Sequence, residues 1–319
     1  MSSTHLFVMD PLASLNRPLD SSLRMMYELS RRGHTVYSCT PTQLSWSNTR
    51  DSADANCAVL RFSGSPMDFT EDARTVRSLR SFDALHMRKD PPYDLDYVAT
   101  TWLLDTALPS ARVYNAPQAL RRFNEKLAIF LFPQDCHQAL VSCDPAALLG
   151  FVRHEAAGDA ILKPLTLFGG RGVERLQLAL HGEDQIRAKL EEATQRGQSM
   201  RLIQPFDKAV FAGEVRAFTA FGKPIAWCLK RPLTGNFLAN TSAGAKLEIY
   251  EPSAIEMERV TRIATTLFAE GVAFIGFDII GGFISEVNLT SPRLLKAPHD
   301  KNDYYDQLVS LIEADLGQS

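Results

Sequence analysis

This sequence of 319 residues lacks several signatures of metal, redox and nucleophile sites. Its five cysteines form no CxxC pair and are odd in number, so they predict neither a zinc site nor a disulfide framework. The histidines do not cluster, and no Ser-His-Asp or Cys-His arrangement is recognisable. The sequence therefore does not predict a protein nucleophile. A formal net charge of -3 argues against a nucleic-acid partner, which would require a basic surplus.

Long apolar runs and targeting signals are missing as well. No apolar run approaches the roughly 20 residues that span a membrane. The opening MSSTHLFVMD has no charged segment before an apolar stretch, as a signal peptide would. We therefore expect a soluble, cytoplasmic protein without a membrane partner. The 45% of hydrophobic residues suffices for a buried core, and the length suits two or three lobes.

The order of the elements predicts an α/β fold that begins with a parallel sheet. Strands are predicted at 5–10 and 35–39. The helix between them is capped by Asp20 or Ser21 and ended by Gly33. This order is typical of parallel strands joined by crossover helices. Further patterns predict strands at 84–88, 113–114, 160–163 and 202–204, helices at 97–107, 118–131, 183–196, 253–270 and 303–316, and hairpins at 214–231 and 273–288.

The hairpin AFIGFDIIGGFISEVNLTSP carries the strongest chemical signal. Asp278 interrupts an apolar strand, where an unpaired carboxylate costs several kcal/mol. Glu286 and Asn288 share a face of the return strand. A two-residue turn at Gly281-Gly282 would send Glu286 to the opposite face. A three-residue turn pairs Asp278 with Glu286, and the three oxygen ligands converge. We predict the three-residue turn and a magnesium site. The alternative is a surface hairpin whose acids face water.

Upstream of this hairpin, the glycine-rich PLTLFGGRGVERL follows a predicted strand. Its glycines can place backbone N–H groups around phosphates, although it matches neither the Walker nor the Rossmann pattern. Lys163 just before this loop and Lys126 at the start of an apolar helix could reach nucleotide phosphates. Arg216 and Arg231 lie on alternating strands and could stabilise a transferring phosphoryl group. Taken singly, these residues also fit a flexible turn, solvated lysines and surface ion pairs.

Six segments resemble bacterial glutathione synthetase, in the same order and over nearly the whole chain. They are VMDPLASLNRPLDSS, HMRKDPPYD, NAPQALRRFNEKL, ILKPLTLFGGRGV, IQPF and GFDIIGGFISEVNLTSP. The resemblance implies an N-terminal parallel-sheet domain that binds substrate, at 1–122, followed by an ATP-grasp fold of two lobes. These are a mobile central lobe at 123–200 and a C-terminal lobe with the metal site at 201–319. The resemblance also implies ATP and Mg²⁺ as cofactors, with Mn²⁺ as the alternative metal, and a homo-oligomer.

The same resemblance implies an ATP-dependent carboxylate–amine ligase that acts on small molecules. ATP would phosphorylate a carboxylate of γ-glutamylcysteine. The amine of glycine would then attack the acyl phosphate, releasing ADP and phosphate. This chemistry depends on positioning and charge neutralisation and needs no protein nucleophile.

Carried over position by position, the resemblance assigns roles to named residues. Arg216 would touch the phosphates and Arg231 the acyl phosphate. Metal ligands would be Asp278, Glu286 and Asn288. The nucleotide would contact Lys126, Lys163, Phe168, Gly169, Gly170, Arg171, Gly172, Gln204, Pro205, Phe206, Asp207 and Asn240. The residues themselves add substrate contacts, because Asp10, Ser14, Asn16 and Ser21 lie in a polar loop at the end of a parallel strand, where open α/β sheets bind substrates. Arg88 before the KDPP loop, and Ser291 and Arg293 after the hairpin, are further candidates for contact with the substrate. For Arg88, a structural ion pair is the alternative.

Three departures from the family pattern lie where the acceptor would bind or the site would close. Leu238 stands where the family has an arginine, in a loop at 232–246 that is also shorter. Arg293 follows TSP, where the family has a small or hydroxylated residue. Thr166-Leu167-Phe168 replaces an acidic, glycine-rich stretch. Three hypotheses follow: a glutathione synthetase, a related ligase in which Arg293 serves a different substrate, and a nucleotide-binding protein without turnover.

Overall fold

The computed structural model describes residues 2–317 and arranges them around three β-sheets. The strands are β1 (Thr4–Met9), β2 (Thr35–Cys39), β3 (Leu44–Ser45), β4 (Asp54–Ser65), β5 (Asp68–Glu71), β6 (Thr75–Ser78), β7 (Ala84–Arg88), β8 (Arg112–Tyr114), β9 (Leu140–Ser142), β10 (Asp159–Pro164), β11 (Glu174–Gln177), β12 (Arg201–Pro205), β13 (Glu214–Ala220), β14 (Lys223–Arg231), β15 (Lys246–Ile249), β16 (Phe274–Ile280) and β17 (Phe283–Asn288). The α-helices are α1 (Ser21–Arg31), α2 (Leu95–Asp105), α3 (Pro117–Arg122), α4 (Pro145–His154), α5 (Leu178–Ala193), α6 (Ala254–Ala269) and α7 (Tyr304–Leu316). Within residues 2–317, no helix is both long and apolar enough to cross a membrane.

The first sheet confirms the predicted parallel arrangement. Strands β2, β1, β7 and β8 lie side by side and run parallel. Helix α1 crosses between β1 and β2, and the Asp20 side chain caps it by accepting a hydrogen bond from the Leu23 N–H (2.8 Å). Gly33 follows the helix with φ of 88°, a conformation that favours glycine. The antiparallel extension formed by β3 to β6 was not predicted, because its half-exposed strands carry no clear apolar period.

The second sheet, in the order β11-β10-β12-β9, is antiparallel and packs against α4 and α5. The helix predicted at 118–131 is wrong in its second half. Helix α3 ends at Arg122, and only a 3₁₀ turn follows at Ala128–Leu131. The Asn124 side chain accepts hydrogen bonds from the N–H groups of Lys126 (2.9 Å) and Leu127 (3.3 Å), so it replaces helical hydrogen bonds at this point.

The third sheet, in the order β15-β14-β13-β16-β17, contains the predicted metal hairpin. The register pairs Ile280 with Phe283, Ile279 with Ile284, and Asp278 with Glu286. The predicted three-residue turn is therefore wrong, because the turn is Gly281-Gly282. Both glycines have positive φ, as two-residue hairpin turns require. The predicted pairing of Asp278 with Glu286 is confirmed, because a β-bulge at Ser285 supplies the extra residue.

Contacts between three histidines and their neighbours link β1, β7 and α7. His34 Nε2 lies 2.8 Å from Glu313 Oε1, and the Ser3 hydroxyl bridges His34 and His5. His5 Nδ1 lies 3.1 Å from His86 Nε2. Desolvation by burial lowers the pKa of His5 to about 3 and holds that of His86 well below its ordinary value. These two rings are therefore neutral in the folded protein at neutral pH.

We predict that His5 makes the folded protein acid-sensitive. Below the unfolded-state pKa of about 6.5, the unfolded chain binds a proton that the folded chain does not bind until about pH 3. This difference lowers the free energy of unfolding by about 2 kcal/mol between pH 7 and pH 5. We expect the free energy of unfolding, measured with urea at pH 7 and pH 5, to fall less in His5→Gln than in the unmodified protein, by this amount. The exposed His299→Gln is the control, and an unchanged drop in His5→Gln would contradict the prediction.

Candidate active site

A cleft of about 780 Å³ opens between the second and third sheets, next to the loops that follow β1 and β7. Most of the predicted site residues line it: Asp10, Ser14, Asn16, Lys126, Lys163, Phe168, Gly169, Gly170, Arg171, Gln204, Pro205, Phe206, Asp207, Arg216, Asn240, Asp278, Glu286, Asn288, Ser291 and Arg293. Four predicted residues lie outside its lining: Ser21, Arg88, Gly172 and Arg231. The fold thus brings together residues that are far apart in the sequence.

Lysines from two elements supply positive charge to the cleft. Lys126 is buried, and its Nζ donates a hydrogen bond to the Leu167 carbonyl (2.6 Å) and lies 3.3 Å from Glu286 Oε1. Lys163 lies on β10, and burial lowers the pKa of its ammonium group. The Lys163 ammonium donates no hydrogen bond to any residue in 2–317, so its donors are available to an anion.

Arg216 on β13 adds a third cation. Its Nε lies 3.5 Å from Asp278 Oδ1. Its Nε and Nη1 are buried and have no hydrogen-bond partner within the described residues. Buried donors are nearly always satisfied in native proteins, so these two atoms point to an anionic ligand.

The acidic side of the cleft lies on β13, β16 and β17. Asp278 Oδ1 accepts a hydrogen bond from Lys230 Nζ (2.6 Å), and Oδ2 accepts one from Asn288 Nδ2 (3.0 Å). Burial would raise the pKa of Asp278, but the charges of Arg216 and Lys230 hold it well below its usual range. Lys230 also pairs with Glu214, whose pKa is raised to about 7 by burial.

The acidic side of the cleft offers donors of the kind that a hard divalent cation requires. Asp278, Glu286 and Asn288 share one face of the sheet and offer two carboxylates and an amide, the oxygen donors that Mg²⁺ prefers. Within residues 2–317, no three His, Cys, Asp or Glu side chains are grouped to hold a metal. The three residues therefore fit part of a Mg²⁺ ligand set, with Asp278 already in contact with Lys230.

Two loops meet over the cleft. Gly170 has φ of 79°, and a Cβ atom there would collide with the Asn240 amide and contact Leu238 at 3.5 Å. Glycine at this position therefore allows the glycine-rich loop to approach the 232–246 loop. Gly172 lies on the far side of β10, where a Cβ atom would approach Pro164 to 3.2 Å, and lines a smaller second pocket instead.

One end of the cleft is apolar and aromatic. The Phe206 ring stacks against the Arg175 guanidinium at 3.5 Å and meets the Phe237 ring edge-on at 6.0 Å. The Asp207 side chain accepts a hydrogen bond from the Ala209 N–H (2.8 Å). It also packs so closely on Gly281 that a Cβ atom there would collide with it. The Asp207 side chain thus connects the segment after β12 to the turn between β16 and β17.

The opposite end of the cleft holds paired charges. Lys89 Nζ lies 2.9 Å from Asp10 Oδ1, and the Asp90 N–H donates to Asp10 Oδ2 (2.8 Å). Arg293 Nη2 donates to Asp90 Oδ2 (3.1 Å). Lys89 and Asp90 were not assigned from the sequence, although they lie within the MRKDPP segment. A ligand with both a carboxylate and an ammonium group could exchange partners with such pairs.

Arg88 and Ser21 support this end from beneath the surface. Arg88 is buried, and it donates hydrogen bonds to Ser22 Oγ (3.0 Å) and the Pro292 carbonyl (2.9 Å). The Ser21 hydroxyl accepts a hydrogen bond from the Leu294 N–H (3.0 Å). Both side chains therefore position the segment after β17. The alternative of an ion pair for Arg88 is not observed, since both of its partners are neutral.

Glu125 is a further residue that sequence reasoning missed. Its Oε1 accepts hydrogen bonds from the Leu289 N–H (2.9 Å), the Thr290 N–H (2.9 Å) and the Thr290 hydroxyl (2.6 Å). Burial raises its pKa. Glu125 thus anchors the chain that leaves the metal hairpin next to Lys126. Its signal in the sequence was only a carboxylate at the start of an apolar stretch.

Arg231 is not brought to the cleft. Its guanidinium pairs with Glu248 (2.7 and 2.8 Å), and its side chain is 42% exposed. Lys230 faces the cleft instead, because neighbouring residues of a strand point to opposite faces and Lys230 pairs with Glu214. The register of β13 and β14 shifts between Phe218 and Thr219, where the pair contains a β-bulge. If residues were paired from the turn without this bulge, Arg231 instead of Lys230 would be placed on the face of the cleft.

Comparisons with known proteins agree with this geometry. Residues 4–121 match the model of the prokaryotic glutathione synthetase N-terminal domain, and residues 125–301 match that of its ATP-grasp domain. The glutathione synthetase of Xanthomonas campestris is 35% identical over 93% of this chain and 92% of its own length. That of Parasynechococcus marenigrum is 36% identical, over 92% and 95%.

Solved structures show the same fold. D-cycloserine synthetase DcsG has a TM-score of 0.66 at 15% identity, covering 97% of this chain and 99% of its own. The ATP-grasp ligase PsnB, complexed with minimal precursor, Mg and ADP, has a TM-score of 0.59 at 17% identity and covers 98% of both chains. At these identities the likeness establishes the fold alone, and the predicted α/β architecture with an ATP-grasp fold is confirmed.

We predict that Arg216, not Arg231, binds an anion in the cleft. Replacement of Arg216 by Met removes charged donors that face the cleft. It should weaken the binding of tripolyphosphate about ten- to a hundredfold, as measured by isothermal titration calorimetry. Arg231→Met is the matched control and should bind tripolyphosphate like the unmodified protein, because its guanidinium lies on the opposite face. Equal losses in the two variants would contradict this assignment.

Proposed function

The chain belongs to the prokaryotic glutathione synthetase family, and on that premise we propose that it joins γ-glutamylcysteine to glycine in an ATP-dependent reaction. The observation that carries the proposal is the match to both family models together with relatives named glutathione synthetase over more than nine-tenths of the chain. The cleft supports it, because cations and oxygen donors of the kind that bind a metal nucleotide face each other there.

We propose that the cleft holds ATP along its length. Lys126, Lys163 and Arg216 bind the phosphates, and their charges offset the negative charge of the chain of phosphates. The base lies at the apolar end beside Phe206, and Asp207 faces the ribose. Gly169, Gly170, Arg171 and Asn240 cover the phosphates, which requires the close approach that Gly170 permits.

For the metal we propose Asp278, Glu286 and Asn288 as the protein ligands of Mg²⁺, with Mn²⁺ as the alternative. A bound divalent ion supplies charge neutralisation between the phosphates and the carboxylates. The oxygen donors and their common face support this assignment, and Glu286 is the carboxylate nearest to Lys126.

Family membership supports the following reaction, and the groups that meet in the cleft are compatible with it. A carboxylate of γ-glutamylcysteine attacks the terminal phosphorus of ATP. The bond between this phosphorus and the oxygen that bridges it to the second phosphate breaks, and an acyl phosphate and ADP form. The glycine amine attacks the acyl carbon, loses a proton and expels phosphate, which forms the peptide bond. Arg216 stabilises the charge that develops on the transferred group, and the loops exclude water that would hydrolyse the acyl phosphate.

We propose that the three segments 1–122, 123–200 and 201–319 act as domains, with the central one as a lid. Support comes from the separate apolar core of the second sheet, which contains Leu148, Val152 and Leu190. The lid would close through the contact between Gly170 and Asn240. Family membership also supports proposals for a cytoplasmic location and a homo-oligomer.

A second candidate is a ligase of the same type with a different acceptor. The ion pair of Arg293 with Asp90 favours it, because this guanidinium stands at the substrate end where the family has a small or hydroxylated residue. An acceptor with an additional carboxylate could displace Asp90 from Arg293.

ADP release decides between the two candidates. We predict the highest kcat/KM with γ-glutamylcysteine plus glycine, in a panel of dipeptides and amino acids, and a glutathione product identified by mass spectrometry. A maximum with an acidic acceptor, lost in Arg293→Ala, would favour the second candidate. Magnesium-dependent nucleotide binding without ADP release for any pair would contradict both and leave a binding protein without turnover.

A further inference from the structure

Lys230 is the most deeply enclosed cation of the cleft. Its side chain is only 2% exposed, and its ammonium group pairs with Glu214 and donates a hydrogen bond to Asp278 Oδ1 (2.6 Å). The residue extends from β14, where it lies opposite Glu214 in the register. Two carboxylates therefore hold the ammonium group at the floor of the site.

Asp278 already has partners for both of its oxygens. Lys230 occupies Oδ1, and the Asn288 amide nitrogen occupies Oδ2 at 3.0 Å. A metal ion needs a lone pair that faces it, and it is repelled by a fixed positive charge on the same carboxylate. Glu286 also has a lysine beside it, with Lys126 Nζ at 3.3 Å from Oε1, but this distance is longer than the 2.6 Å between Lys230 and Asp278, and Glu286 lies at the cleft wall.

We propose that Lys230 is a resident cation of the metal site, which competes with the divalent ion for Asp278 and so limits how tightly the cleft binds metal. This inference rests on the proposed function, in which Asp278, Glu286 and Asn288 hold Mg²⁺. Lys230 acts as a positioning residue, because it acts through Asp278.

Two physical arguments support this role. First, Asp278 is buried and the Glu214 side chain is only 15% exposed, and two neighbouring carboxylates so far from water require a counter-charge whether or not metal is present. Lys230 supplies it permanently. Second, the ammonium group stays in the site when the product leaves, because its aliphatic stem is enclosed in the sheet. The metal therefore depends more on Glu286, Asn288 and the phosphates, which leave when the nucleotide leaves.

A competing cation and a purely structural lysine differ in their effect on metal binding. A structural lysine stabilises the fold, and its removal weakens or leaves unchanged every other interaction of the site. A competing cation gives the opposite sign for one observable: its removal tightens metal binding, because Asp278 gains a free oxygen and the site loses a positive charge.

The test measures Mn²⁺ binding to the full chain with saturating ADP, from the electron paramagnetic resonance signal of free Mn²⁺. We expect at least tenfold tighter binding in Lys230→Met. In the absence of ADP, Mn²⁺ should raise the melting temperature of this variant more than that of the unmodified protein. Lys230→Arg keeps the charge and should bind Mn²⁺ like the unmodified protein. Lys223→Met, an exposed lysine on the same strand, is the matched control.

A second comparison covers the case in which Lys230→Met does not fold. Lys230→Met/Glu214→Gln removes one charge of each sign, and it is compared with Glu214→Gln alone. Tighter Mn²⁺ binding in the double variant supports the inference. Equal or weaker binding in both Met variants overturns it and leaves the metal assignment standing. Absence of Mn²⁺ binding in every protein, including the unmodified one, overturns the metal assignment and this inference together.

Discussion

The register of the third sheet is the constraint on which the cleft depends. Every charged group at its floor lies on one face of β13, β14, β16 and β17, and a shift by one residue would send a strand's set to the other face. Two β-bulges fix the alignment, one opposite Phe218 and Thr219 and the other at Ser285. They bring Lys230 opposite Glu214 and Glu286 opposite Asp278. The chemistry of the site thus rests on backbone irregularities that contribute no side chain to it.

Charge balance is the second constraint, and it follows from the first. Once the register places acids and bases on one buried face, each must have a partner, because an unpaired buried charge costs several kcal/mol. Asp278 and Glu214 meet this requirement through Lys230, and Glu125 through the backbone at Leu289 and Thr290. Arg216 is the exception, since its charge is paired with Asp278 at 3.5 Å but its Nε and Nη1 have no hydrogen-bond partner within residues 2–317. The exception marks where a ligand completes the network.

Much of the fold followed from the sequence, because apolar periods, helix caps and ordered motifs are local signals. The parallel strands, the cap at Asp20 and the gathering of distant residues in one cleft belong to this group. The bulges do not, because they depend on contacts across the sheet. For this reason, the pairing of Asp278 with Glu286 was right while its predicted turn was wrong. The position of Arg231, which the resemblance assigned to the acyl phosphate, also depends on a bulge, since the register of β13 and β14 turns Lys230 rather than Arg231 towards the cleft.

The substrate end of the cleft is less constrained than the metal side. On the metal side, register and charge balance together leave few arrangements. At the other end, Arg293 is held by Asp90 and Lys89 by Asp10, so each charge is already satisfied. Leu238 adds an apolar contact to the closing loops rather than a charge. A charged substrate must therefore displace one member of an existing ion pair. The substrate that binds best is the one for which this displacement gives the greater gain in free energy. Substrate specificity at this end therefore comes from the difference in free energy between two bound states, each of which replaces one ion pair with another.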